Sequence, residues 1–287
     1  MQLLRERILT DGRNLGLERD GNRRVEGAAG AARLRWAMRL ASMASTAAGQ
    51  KALDAKVVAE MTASYCADDE PDFASYDRIV QLALRMKAAG LGPGIPTGPG
   101  MAALVRRLVA EWPMPLVVDA DALNLLGEDV VSVTASAVAS RILTPHPGEM
   151  SRLCGVSIAE IGRNRLTYAR RLAERTCAVV VLKGARTVIA EPDGTAYINP
   201  TANPALGTAG SGDVLTGVIT AFLAQGLKPV DAACAGVFVH GESAEHAIRR
   251  IGSHNLMASD LPDAIACTLE SLRKEGAETS AGPGLAY

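Results

Sequence analysis

The chain has 287 residues, 48% of them hydrophobic and 21% charged, with a formal net charge of -1. That mixture argues against a disordered segment, and the absence of a basic run argues against nucleic acid or an anionic membrane as partner. A small-molecule partner is the default. The five cysteines (Cys66, Cys154, Cys177, Cys234 and Cys267) are scattered and never form CxxC, which speaks against a disulfide framework or a zinc site and for reduced cytosol.

The opening MQLLRERILTDGRN has no apolar core of signal-peptide length, and no segment approaches the ~18 apolar residues of a bilayer span. A cytoplasmic protein is expected. Residues 1–20 read as an N-terminal extension, 21–273 as one domain and 274–287 as a mobile tail. Within the first third, GAAGAARLRWAMRLASMAS (residues 27–45) predicts an alanine-rich helix. LERDGNRRVE before it lacks the apolar run of a first core strand.

Beyond residue 115, short apolar runs alternate with helical patterns, as in strands buried on both faces between helices. PLVVD (115–119), RILTP (141–145) and AVVVLKG (178–184) are the clearest strands, ending at Asp119 and Asp121, Thr144 and His146, and Lys183 and Gly184. In open parallel sheets ligands bind outside the carboxyl ends of the strands, so these ends should meet in one crevice. RTVIAEPDGTAYIN (186–199) predicts a β-hairpin turning at Glu191, Pro192, Asp193 and Gly194. Helical spacing follows from Val214 to Leu223, and again over DAACAGVFVHGESAEHAIRRI (231–251).

NPALGTAGSGDVLTGV (203–218) gathers four glycines around Asp213 at the start of a helix. The amides of Gly210, Ser211 and Gly212 would form an anion hole. A carboxylate there would repel a bound phosphate unless it takes a proton from a hydroxyl while the hole steadies an arriving phosphoryl group. The plainer alternative is a tight turn with Asp213 as helix cap. The spacing fits neither GxxxxGK[ST] nor GxGxxG.

VVDADALNLL, LTPHPGEMSRL, VLKGARTVI and NPALGTAGSGDVLTGVITAFLAQG, in this order and spacing, resemble the ADP/ATP-dependent NAD(P)H-hydrate dehydratases of the ribokinase-like superfamily over residues 92–261. The resemblance implies a ribokinase-like three-layer α/β fold: a mostly parallel central sheet, helices on both faces and a β-hairpin edge. It implies dehydration of the S epimer of NAD(P)H hydrate, with ADP or ATP as co-substrate and Mg2+ as cofactor. A homo-oligomer and a separate epimerase acting on the same substrate are also implied.

By the same resemblance Asp213 is the catalytic aspartate, activating the hydrate hydroxyl for phosphorylation and touching the substrate. Lys183, Gly184, Ala185, Arg186, Thr187 and Gly212 correspond to nucleotide contacts, and Ala31, Gly94 and His146 to hydrate contacts. Glu149 corresponds to a glutamate that helps organise magnesium. On the residues alone, Lys183 can also read as a solvated strand end and His146 as a turn residue, while Asp119, Asp121 and Asn124 read as caps of the next helix rather than as catalytic groups. The first third departs from the family, with GNRRVEGAAG where an apolar strand and a GGS-type turn belong. A related kinase of the hydroxyethylthiazole type, or a nucleotide-binding homologue with impaired catalysis, are the alternatives.

Overall fold

The computed structural model describes residues 42–54, 61–67, 70–252 and 255–280. Six strands form the central sheet in the order β3-β4-β5-β6-β7-β8: Ala89–Leu91, Leu116–Val118, Arg141–Leu143, Val179–Leu182, Val188–Ala190 and Ala196–Ile198. The first four run parallel; β7 pairs antiparallel with β6, and β8 antiparallel with β7. The hairpin edge closes where the sequence predicts it, with Gly194 N–H donating to Glu191 O at 3.1 Å.

Successive residues of a strand point to opposite faces, and the buried runs use both. Val117, Ile142, Val179, Val181 and Ile189 face one core, against helices α9 (Ser211–Ala224), α10 (Pro229–Ile251) and α11 (Leu261–Ser280). Leu116, Val118, Leu143, Val180 and Leu182 face the other, which α3 (Pro99–Glu111), α4 (Ala120–Leu126), α5 (Val130–Ala135), α6 (Pro147–Cys154), α7 (Ile158–Arg163) and α8 (Arg165–Thr176) cover. The three expected layers are therefore present.

At the amino end of these strands Arg141 is 2% exposed. Its guanidinium donates to the carbonyls of Val109 (2.7 Å), Trp112 (2.7 Å), Met114 (3.1 Å), Ala139 (2.9 Å) and Ser140 (3.1 Å). Burial pushes it down to about 10, still high enough to keep the cation at neutral pH.

A separate parallel pair, β1 (Ser42–Thr46) and β2 (Met61–Cys66), flanks α1 (Ala47–Asp54), and α2 (Ser75–Ala83) leads from it to the main sheet. Ser42 to Ser45, expected to end a helix, are strand, because pairing with residues 61–64 outweighs the helix propensity of alanine. The rest of that predicted helix, the GNRRVEGAAG position and residues 1–20 lie outside the described residues. At the other end α11 runs through Ser280, past residue 273 where the domain was expected to stop.

Candidate active site

The strands of the sheet end level with one another. Asp119 N–H donates to Leu91 O (2.9 Å), Thr144 N–H to Val118 O (3.1 Å) and Lys183 N–H to Pro145 O (2.9 Å), each continuing the ladder by one residue. Gly92 closes the β3 end so tightly that a Cβ there would lie 1.8 Å from the Asp119 carbonyl oxygen. Register thus brings Asp119 and Lys183 side by side, 64 residues apart in sequence, with Lys183 Nζ 2.5 Å from Asp119 Oδ1.

Asp119 is 1% exposed, and its second oxygen accepts from Thr216 Oγ1 of α9 at 2.7 Å. Lys183 Nζ also faces Glu149 Oε2 at 3.9 Å. A buried pair of this kind gives little net stability, since desolvation offsets the attraction. What it provides is a cation fixed between two strand ends and a helix start.

Asp119 is therefore not the cap that its position before α4 suggests. No side chain caps that helix, and the next residue, Ala120, has φ 48°. Left-handed backbone in a residue with a Cβ costs ~1–2 kcal/mol, here immediately beside the paired carboxylate. Asp121 accepts from Asn124 (3.4 Å), and Asn124 accepts from Arg152 (2.8 and 3.0 Å).

His146, by contrast, is a cap. Its Nδ1 accepts from the amides of Gly148 (2.9 Å) and Glu149 (3.3 Å) at the start of α6, and Glu149 Oε2 accepts from His146 N–H at 2.7 Å. With Nδ1 accepting, the proton sits on Nε2, which faces Glu149 Oε1 at 3.3 Å. Thr144 turns its hydroxyl to Val118 O (3.3 Å). Among the described residues no group of three His, Cys, Asp or Glu side chains forms a metal site, and Glu149 is already engaged by His146 and Lys183.

The glycine loop meets this cluster from the α9 side. Asn203 braces it, accepting from Ala205 N–H and donating to Glu245 Oε1, both at 2.9 Å. Gly210 (φ 82°) precedes the helix, whose start no side chain caps. Ser211 belongs less to the expected hole than its neighbours: its amide donates to Thr208 O (3.3 Å), and its buried hydroxyl meets His240 Nε2 at 3.4 Å. His240 is itself buried, which pushes it down to about 4.

Gly212 approaches Lys183 so closely that a Cβ there would lie 3.3 Å from Nζ and 3.9 Å from Asp119 Oδ2. Asp213 follows in the first turn, half-buried. Burial above all, then the Asp119 carboxylate, hold its carboxyl above the ordinary range, while Lys183 pulls it down. A carboxylate in a first turn is usually favoured by the helix dipole; desolvation wins here.

The turn after Lys183 has Gly184 at φ 136° and Arg186 at φ 54°, and Thr187 Oγ1 donates to Gly184 O at 3.0 Å. Residues 184–186 are exposed and Thr187 is buried. Gly94 (φ 71°) has open space where a side chain would stand. Ala31 lies outside the described residues. Lys183, Glu149, Gly212 and Asp213, singled out in the sequence, come together, and Asp119 joins them as the expected meeting of strand ends implies; the contact of Thr216 with Asp119 has no local sequence signal.

A family model described as NAD(P)H-hydrate dehydratase matches residues 26–269. The chain is 45% identical over 209 residues to a bifunctional NAD(P)H-hydrate repair enzyme of Moorella thermoacetica, covering 73% of this chain and 39% of that protein. It is 41% identical over 157 residues to an ADP-dependent (S)-NAD(P)H-hydrate dehydratase of Neisseria meningitidis serogroup B, covering 54% of this chain and 53% of that one. The chain therefore spans about half, or less, of these relatives. Among solved structures, an ADP/ATP-dependent NAD(P)H-hydrate dehydratase of Bacillus subtilis co-crystallised with ATP/Mg2+ superimposes with a TM-score of 0.68 at 26% identity, covering 93% of this chain and 97% of that one.

Proposed function

The chain belongs to the NAD(P)H-hydrate dehydratase family and has a ribokinase-like fold, and from that premise we propose that it uses ADP or ATP to return the S epimer of NAD(P)H hydrate to NAD(P)H. The observation that carries this reading is the half-buried Asp213 in the first turn of an uncapped helix, facing the Lys183 and Asp119 pair.

Asp213 takes the proton from the hydrate hydroxyl, whose oxygen bonds to the terminal phosphorus of the nucleotide as the bond to AMP (from ADP) or ADP (from ATP) breaks. Lys183 and the amides of Gly210 and Gly212 balance the charge on the moving phosphoryl group. Inorganic phosphate then leaves with the carbon–oxygen electron pair, and loss of a proton from the neighbouring carbon restores the double bond. A raised carboxyl pKa favours the first step, because a base works best when its pKa lies near the working pH.

Residues 184–187 and Gly212 would hold the nucleotide, and Gly94, His146 and Ala31 the hydrate. Mg2+ usually keeps several waters and joins proteins through one or two carboxylates plus substrate phosphates. The residues here suit such an ion arriving with the nucleotide, with Glu149 acting on it through water; bound, it would neutralise phosphate charge. A homo-oligomer and a separate epimerase complete the proposal.

The test is incubation of purified protein with NADH hydrate and ADP or ATP, followed at the absorbance of the reduced nicotinamide. Nucleotide-dependent recovery of NADH is the expected result. No recovery with either nucleotide would remove the activity, and a stable phosphorylated alcohol in its place would indicate a kinase.

A further inference from the structure

Arg165 is the first residue of α8, where a cation opposes the helix dipole rather than complementing it. Its position therefore needs another reason. The guanidinium reaches across to the turn after β6, donating from one nitrogen to Ala185 O (2.7 Å) and from the other to Leu182 O (3.0 Å) and Lys183 O (3.3 Å). Its Nε is buried with no partner among the described residues, a cost accepted where the fork is held in place.

The contact also depends on Gly184. A Cβ there would stand 3.1 Å from both terminal nitrogens of Arg165, and the residue has φ 136°. Both the left-handed backbone and this close approach favour glycine. In a trans peptide the carbonyl and the following N–H point in opposite directions. Drawing the Lys183 and Ala185 carbonyls toward Arg165 therefore turns the Gly184 and Arg186 amides to the other side.

We propose that Arg165 is a positioning residue for the nucleotide: it gathers the carbonyls of Leu182, Lys183 and Ala185 on one side of the turn, so that the amides of Gly184 and Arg186 are aimed at the phosphates. The inference rests on the nucleotide-dependent reading above. Held this way, the turn presents donors to an anion, and its three acceptors are already neutralised by a cation.

The experiment compares wild type, Arg165→Lys and Arg165→Met in steady-state assays varying nucleotide and NADH hydrate separately, with the ADP-induced thermal shift measured in parallel. Arg165→Met should lower kcat/KM for the nucleotide by ~10–100-fold, the usual consequence of a misplaced binding group, with KM for the hydrate little changed. Arg165→Lys keeps the cation and the buried stem but not the fork, so it should fold and fall between the two. Nucleotide KM and ADP shift both unchanged in Arg165→Lys and Arg165→Met would overturn the inference, even if melting temperature fell. A wild-type protein indifferent to ADP and ATP would instead defeat the functional reading, and this inference with it.

Discussion

The two ends of the central sheet each hold a cation, buried at the amino end and partly buried at the other, and they treat it in opposite ways. At the amino end Arg141 donates to five backbone carbonyls and, among the described residues, to no carboxylate. At the carboxyl end Lys183 is held by side chains from other elements, Asp119 and Glu149, and sits beside a half-buried Asp213 with a raised pKa. A cation satisfied by fixed backbone dipoles has nothing to exchange. One held by a single 2.5 Å partner beside a helix start can turn to an arriving anion.

The sharpest way to break this contrast is at Asp213. If it is the base, Asp213→Asn should lower turnover by ~10²–10⁴, the usual worth of a positioned general base, while nucleotide binding survives. The same variant should melt at a higher temperature than wild type. The folded carboxyl has a raised pKa, so ionising it destabilises the fold; this penalty sets in as pH rises above the unfolded pKa and is complete above the folded one. A capping residue alone would predict a nearly silent change, because asparagine caps as well as aspartate.

Arg141→Met tests the other end. It should destabilise the fold by ~1–3 kcal/mol, since buried carbonyls that it serves lose their donor, and the molecules that remain folded should turn over as wild type does. Chemical denaturation beside an active-site-normalised assay separates the two effects. A variant of full stability but low turnover would reverse the assignment of the ends.

A smaller effect should come from His240, against the glycine loop. Its folded pKa of about 4 lies below the ordinary 6.5, so the unfolded chain takes up a proton that the folded one refuses. The resulting stability is fully present above pH 6.5 and is lost as pH falls toward 4, by up to roughly 3 kcal/mol. His240→Gln should flatten that part of the stability profile, as read from denaturation curves at several pH values. An unchanged profile would mean that the ring is not held neutral there.

Much of this was legible in the sequence. Strands β4, β5 and β6 announced themselves because they are buried on both faces and read as continuous apolar runs, and the hairpin because Pro192 and Gly194 mark its turn. Asp213 stood out because four glycines around one carboxylate have no cheap structural purpose. What stayed hidden depends on distance. That the strand ends of Asp119 and Lys183 would meet was legible, but the Thr216 hydroxyl that holds the other Asp119 oxygen was not, and Arg165 carries no local mark of the turn that it reaches. In the first third, the alanine-rich run ending at Ser45 suggested helix, whereas pairing of Ser42–Thr46 with residues 61–66 made a strand.

If the hydrate hydroxyl becomes the phosphate leaving group, its oxygen must end in inorganic phosphate, and an isotope measurement follows that oxygen. NADH hydrate carrying 18O in its hydroxyl is incubated with the protein and ADP in ordinary water, and the inorganic phosphate is analysed by mass. Each phosphate released with NADH should carry one 18O, because the oxygen that leaves carbon is the one that attacked phosphorus. Unlabelled phosphate, with the label recovered in water, would contradict it.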